Sequence, residues 1–336
     1  MRTKLILGTA MALFAAGPAL AEDMVFTSWG GTTQDAQQEA WAVPFAADHA
    51  GVNVLMDGPT DYGKLKAMVE AGSPVWDVVD VEYDFAVQAA KEGLVEPVDF
   101  NVVDRKAIDP RFVTDHAVGS FYYSFVLGYN EGASSEPPAS WADVFDTDKH
   151  PGKRAFYKWS APGALEIALL ADGVAPKDLY PLDLDRAFAK LDAIKGDIVW
   201  WGSGAESQQL LASGEASLGQ FWNGRLYALQ QEGAPVGISW AQNLTAADML
   251  VVPKGAKHKD LAMQFLARAT SPEGQAKLAE LTAYAPVTPA AQKLMDEATV
   301  KGLPDQHTEG QIDLDMAYWA DHRGEIADRW YAWQAQ

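Results

Sequence analysis

Short β-rich runs that end in glycine-bearing turns and pass straight into amphipathic helices recur along this chain, and that alternation narrows its possible folds more than any other feature. Met24-Val25-Phe26-Thr27-Ser28 reads as a strand and Trp29-Gly30-Gly31 as the turn after it. Thr32 or Thr33 then reads as the cap of a helix whose apolar face holds Ala36, Ala40, Val43 and Phe45. Residues 52–56 and 76–81 read as further strands, with helices over 62–71, ended by Gly72, and over 84–91, stopped at Gly93. The second half repeats the grammar. Strands are expected at 198–201, 217–221 and 249–252, and helices at 206–213, from near Arg225, at 259–270 and at 272–282. A chain alternating in this way builds α/β layers, with helices flanking a mostly parallel sheet. Its 336 residues suffice for two such units, and Pro137-Pro138 marks a linker-like break.

The first 21 residues follow different rules. Arg2 and Lys4 precede an apolar run over residues 5–16, and Ala19-Leu20-Ala21 stands directly before Glu22. A basic start, a short apolar stretch and an A-x-A site together form a cleavable export signal, here residues 1–21. The run is shorter than the ~20 apolar residues of a spanning helix. The expectation is therefore an exported, periplasmic chain. It contains no Cys, which removes acylated-Cys anchoring, disulfides, thiol nucleophiles and Cys-based metal sites. A net charge of −20 argues against nucleic acid and anionic membranes, whose phosphates repel it. The same acidity favours cations and also serves solubility.

Reactive constellations are scarce. No G-x-S-x-G elbow, H-E-x-x-H motif or P-loop is present. Gly202-Ser203-Gly204 lacks the third glycine of a dinucleotide fingerprint, and the six His residues are scattered without ligand spacing. Asp313-Leu314-Asp315 lacks the Gly and Glu of a calcium loop. No catalysis, cofactor or metal is expected, and a secreted hydrolase using paired carboxylates is the remote alternative.

Ligands in open α/β sheets bind beyond the carboxyl ends of strands. That rule selects three turns: Trp29-Gly30-Gly31, Glu82-Tyr83-Asp84 and Trp222-Asn223-Gly224-Arg225. Each carries a ring, and two add a charge. Of the twelve Trp residues, Trp41, Trp76 and Trp141 read as packing, and Trp319, Trp330 and Trp333 as docking of a C-terminal helix. Trp29, Trp201 and Trp222 stand where a ring can face a cleft, while Trp200 points to the other side of its strand. Trp159, just before a helix announced by Pro162, joins the candidates. Ring faces attract ammonium and onium groups by ~0.5–2 kcal/mol each. Two or three rings, one charge pair and apolar burial reach the ~8 kcal/mol of a micromolar complex.

At these turns the sequence resembles the periplasmic spermidine/putrescine-binding family of ABC transporter solute-binding proteins. The resemblance is carried by Thr27-Ser28-Trp29, by Trp76-Asp77-Val78-Val79 with Lys91-Glu92-Gly93, and by Ser140-Trp141-Ala142-Asp143. Ser213-Gly214-Glu215, Phe221-Trp222-Asn223-Gly224, Asp248-Met249-Leu250-Val251-Val252-Pro253 and Tyr284-Ala285-Pro286 follow in order. It implies a two-lobed periplasmic binding protein fold joined by crossing strands at a hinge. One lobe would hold residues 22–128 with 248–298, the other 129–247 with 299–336. It implies a ligand carrier that works with the transmembrane permease subunits of an ABC importer; a monomer is expected. Ligand contacts are implied at Trp29, Trp222 and Tyr284, an amine-pairing carboxylate at Asp248, and a matching turn at Glu82, Tyr83 and Asp84.

Three departures point away from a polyamine. Lys158-Trp159-Ser160-Ala161-Pro162-Gly163 offers no acid to a second amine, and Ala246-Ala247 replaces an expected aromatic before Asp248. Arg225 adds a guanidinium suited to clamping a carboxylate. A short zwitterion is therefore expected. Its cationic end would lie among Trp29, Trp159, Trp201, Trp222 and Tyr284, with Glu82, Tyr83 and Asp248 beside it and Arg225 at its carboxylate. Dimethylsulfoniopropionate, a betaine and γ-aminobutyrate all fit, with putrescine or spermidine as the alternative ligand.

Overall fold

The computed structural model describes residues 22–133 and 136–336. The expected export signal, residues 1–21, lies outside the described residues. Among them are nine strands: β1 (Glu22–Thr27), β2 (Val52–Asp57), β3 (Val78–Glu82), β4 (Val118–Asn130), β5 (Arg154–Tyr157), β6 (Ile198–Trp201), β7 (Leu218–Trp222), β8 (Val236–Val251) and β9 (Ile312–Asp313). They form one hydrogen-bonded sheet in the order β2-β1-β3-β8-β4-β7-β5-β6, with β9 against β8.

The two flanks of this sheet are parallel. β1 pairs with β2 and β3, and β5 pairs with β6 and β7. Between the flanks run β4 and β8, antiparallel to each other and to their outer neighbours. At about 3.3 Å per residue these strands are long enough to traverse both groups. The C-terminal end of β8 pairs with β3, Asp248 opposite Glu82, while the C-terminal end of β4 pairs with β7, Phe125 opposite Trp222. Two α/β lobes thus share a pair of crossing strands. β4 shifts register against β8 between Gly119 and Phe121 and again between Phe125 and Leu127, irregularities that bend and twist a strand. The expected mostly parallel sheet holds on each flank, whereas the strands joining the flanks are antiparallel. Patterning misses β4 altogether and finds only the end of β8. β4 is almost wholly buried and β8 is buried from Asn243 onward, and a strand covered on both faces shows no polar alternation.

Local chemistry explains the turns. Gly30 and Gly31 have φ of 76° and 59°, a left-handed conformation that costs an L side chain ~1–2 kcal/mol. The first helix, Gly31–Gln37, therefore starts earlier than expected, with Gly30 as its N-cap and no side-chain cap. Thr32 and Thr33 lie inside its first turn, their hydroxyls available elsewhere. The helix Tyr83–Lys91 buries Phe85, Ala86 and Ala89 against Val79, Val81, Met249 and Val251. Trp41, Trp76 and Trp141 are buried. The C-terminal helix Met316–Gln334 docks through Trp330 and Trp333, which meet Phe188 and, edge-on, Trp200. Among the described residues no helix is long and apolar enough to cross a membrane.

Candidate ligand-binding site

The ends of β1, β3 and β7 converge where β4 and β8 cross between the lobes. Trp29, just past β1, donates its indole N–H to Asp248 Oδ2 at 2.9 Å and sets its ring edge-on to Tyr62 at 6.2 Å. Trp222, the last residue of β7, is half-buried. Around it stand Trp201 edge-on at 4.7 Å, Tyr157 at 5.3 Å and Tyr123 at 6.2 Å. Tyr123 lies 5.8 Å from Tyr284, which stacks on Phe121 at 4.8 Å. These rings form one continuous aromatic wall.

Tyr123, Phe125 and Tyr157 also wall a narrow pocket bordered by Glu82, Tyr83, Asp84, Ala246 and Ala247. Ala246 is the register partner of Tyr123. The small side chains that replace an expected aromatic thus leave room at this spot, and the ring comes from β4 instead. Tyr123, Phe125 and Tyr157 escape a reading of turns because two sit mid-strand in β4. A signal existed: Phe121, Tyr123 and Phe125 alternate, which puts three rings on one face of an extended chain.

One side of the site is acidic. Asp248 is buried, and burial first, then the charges of Asp80 and Glu82, hold its carboxyl well above the usual range. Asp80 is fully buried and pushed up to about 7 by burial, against hydrogen bonds from Gln37, Ser120 and Ser28. Asp84, also buried, is raised to about 6 by desolvation despite the neighbouring Arg323. Arg323 was not foreseen. It reaches from the C-terminal helix to bond Asp84 Oδ2 through Nη1 and Glu82 Oε2 through Nη2 at 3.0 Å, its guanidinium over the Tyr62 ring at 5.3 Å.

The opposite side carries donors. Arg225 donates from Nη1 to the Thr32 hydroxyl and from Nη2 to the Thr33 hydroxyl at 3.1 Å. Its charge lies beside Tyr284, and among the described residues it pairs with no carboxylate. Its Nε and the Trp222 indole N–H are both buried and, among the described residues, without an acceptor.

The candidates do not all converge. Trp29, Trp222, Asp248, Tyr284 and Glu82 come together, with Arg225 at the edge. Tyr83 borders the pocket but spends its hydroxyl on the Arg111 carbonyl at 3.0 Å. Trp201 is fully buried, its N–H tied to the Gln220 carbonyl at 3.0 Å; it backs Trp222 and offers no open face. Trp159 stands apart, 46% exposed, with Lys158 Nζ 4.6 Å over its ring and its N–H on the Gly202 carbonyl. The chain has left β5 two residues earlier, and at that strand's end it is Tyr157 whose ring stands by Trp222.

Residues 40–305 match the family of bacterial extracellular solute-binding proteins. The chain is 35% identical over 334 residues to the gamma-aminobutyric acid-binding protein of Pseudomonas aeruginosa, covering 97% of this chain and 95% of that one. It is 24% identical over 256 residues to the spermidine/putrescine-binding periplasmic protein of Escherichia coli, covering 70% and 69%. A solved GABA receptor superposes with a TM-score of 0.91 at 64% identity, over 94% of this chain and 98% of that one. The relatives are solute-binding proteins rather than enzymes. Two lobes on crossing strands, a site at their junction and these matches lead to one conclusion: the chain belongs to the bacterial extracellular solute-binding proteins that serve ABC transporters.

Proposed function

We propose that this protein captures a short ω-amino acid of the γ-aminobutyrate type between its lobes and delivers it, as a periplasmic monomer, to the permease subunits of an ABC importer. The observation that carries this reading is the split of unmet bonding capacity across the site. On one side Asp248, which takes a hydrogen bond from the Trp29 indole and pairs with no cation among the described residues, is an acid that calls for one. On the other, the Trp222 N–H is a buried donor with no acceptor among the described residues, and the Arg225 guanidinium beside Tyr284 pairs with no carboxylate among them. An unmatched buried donor costs ~1–3 kcal/mol, so both ends gain when one ligand brings an ammonium to the acid and a carboxylate to the donors.

The same geometry separates a primary amine from a methylated onium. An ammonium has three N–H donors to place, and Asp248 and the nearby tyrosine hydroxyls are acceptors. A betaine or dimethylsulfoniopropionate has none and depends on ring faces. Here the rings spend much of their faces on each other, as Tyr284 does on Phe121. Charge-assisted hydrogen bonds contribute ~1.5–3 kcal/mol each. Two of them with two ring contacts reach the ~8 kcal/mol of micromolar binding. Relatives named for γ-aminobutyrate support the same choice. The lobes are divided at residues 22–128 with 248–298 and 129–247 with 299–336, with the irregularities of β4 as the bending points.

Calorimetric titration of the mature protein against γ-aminobutyrate, glycine betaine, dimethylsulfoniopropionate and putrescine tests the reading. γ-Aminobutyrate is expected to bind at micromolar Kd or tighter, at least 100-fold better than the others, and to be recovered unchanged. Tight binding of an onium acid without binding of γ-aminobutyrate refutes it.

A further inference from the structure

The site holds two acidic positions, and they are not equivalent. Among the described residues, the Asp248 carboxylate takes one side-chain hydrogen bond, from the Trp29 indole. Glu82 and Asp84 are already bridged by one guanidinium, that of Arg323. The bridge is built in: Asp84 is fully buried, Arg323 is four-fifths buried, and the Tyr62 ring lies under the guanidinium. Arg323 also comes from the C-terminal helix, remote in sequence from the acids. Its helix is anchored through Trp330 and Trp333 on Phe188 and Trp200, while the acids belong to the end of β3 and the helix after it.

Resting on the amino-acid reading above, we infer that Arg323 determines specificity by occupying, as the protein's own cation, the acidic pocket that a second ammonium of the ligand would need. A diamine can place one end at Asp248. Its other end then falls toward Glu82 and Asp84, where it must displace a bidentate, desolvated partner or lie beside a like charge. Displacement leaves a guanidinium buried and unpaired, which a site avoids at high cost. A ligand with one ammonium and one carboxylate makes no such demand. The bridge also ties the C-terminal helix to the helix after β3, so a cation lodged between the acids would break that tie. Arg323 is thus a positioning residue that discriminates between ligands without touching the preferred one.

The test uses the full mature protein at neutral pH, with putrescine and γ-aminobutyrate titrated into wild type, R323Q and R323K. Putrescine affinity is expected to rise at least tenfold in R323Q and to stay near the wild-type level in R323K, which retains the cation. Circular dichroism melts establish that the variants are folded. If R323Q does not fold, R323M/D84N removes the guanidinium with one of its two acids and leaves Glu82 free; the same tenfold gain is expected. Folded variants without the guanidinium that bind putrescine no better than wild type overturn the assignment, as does an R323K that gains as much as R323Q. Failure of the wild type to bind γ-aminobutyrate overturns the ligand reading instead, and the putrescine comparison still decides the role of Arg323.

Discussion

At Trp222 the indole ring and the indole N–H have separate jobs. The ring packs against Trp201 and Tyr157, and the N–H has no acceptor among the described residues. Trp222→Phe keeps an aromatic ring and removes the donor. γ-Aminobutyrate affinity is expected to fall tenfold or more, in line with a charge-assisted bond of ~1.5–3 kcal/mol, while the melting temperature of the ligand-free protein moves little. Calorimetry and a thermal melt on the same sample check this, and undiminished affinity would remove Trp222 from carboxylate recognition. Asp80 makes a different prediction. Its carboxyl sits at about 7 in the fold against 3.8 when unperturbed, with burial the largest cause. The folded state therefore holds the proton more tightly than the unfolded chain. That contribution to stability is fully present below about 3.8, declines as pH rises, and is gone above about 7. Asn at this position can still accept from Gln37, Ser28 and Ser120 and does not titrate. Asp80→Asn should flatten the loss of unfolding free energy between pH 5 and 8 by on the order of 2 kcal/mol. Urea denaturation across that range measures the slope, and an unchanged slope would show that another group sets it.

The elements hold these side chains by backbone conformation as much as by packing. The Gly30-Gly31 turn is the clearest case. A Cβ at Gly31 would meet nothing within 4 Å, yet its φ is 59°. Gly31→Ala should thus cost ~1 kcal/mol through conformation alone. Because the turn lies between Trp29 and the Thr32-Thr33 pair, relaxing it should also weaken ligand binding several-fold. Chemical denaturation together with calorimetry reads both effects; a stability loss without an affinity loss would uncouple the turn from the site. The end of β7 works in the same way. Trp222 caps the helix Asn223–Gln231, so ring and Arg225 leave one strand end three residues apart. Strand-to-helix units of this kind were legible in the sequence because periodicity, glycine stops and turn residues act over a few positions. The N-terminus of the first helix was misplaced for a local reason as well: a Thr beside two glycines resembles a cap, but the left-handed glycines already turn the chain.

Across the whole molecule, distant elements are tied by contacts that no local pattern announces. Arg225 bonds the Thr32 and Thr33 hydroxyls, Arg323 bridges Glu82 and Asp84, and Lys91 pairs with Asp321 at the other end of the same helix contact. The Arg323 pairs span 239 and 241 positions of sequence. Their existence depends on β4 and β8 running through both lobes and on where the C-terminal helix docks. Sequence alone determined the α/β class and the strand-end turns at Trp29, Glu82 and Trp222, since each rests on near-neighbour chemistry. The sheet order, the rings of Tyr123, Phe125 and Tyr157, the separation of Trp159 from the cluster and the bridge made by Arg323 were decided only in three dimensions. Strand order and helix docking are settled by burial summed over the entire core, and no short stretch of chain encodes which distant partner it will meet.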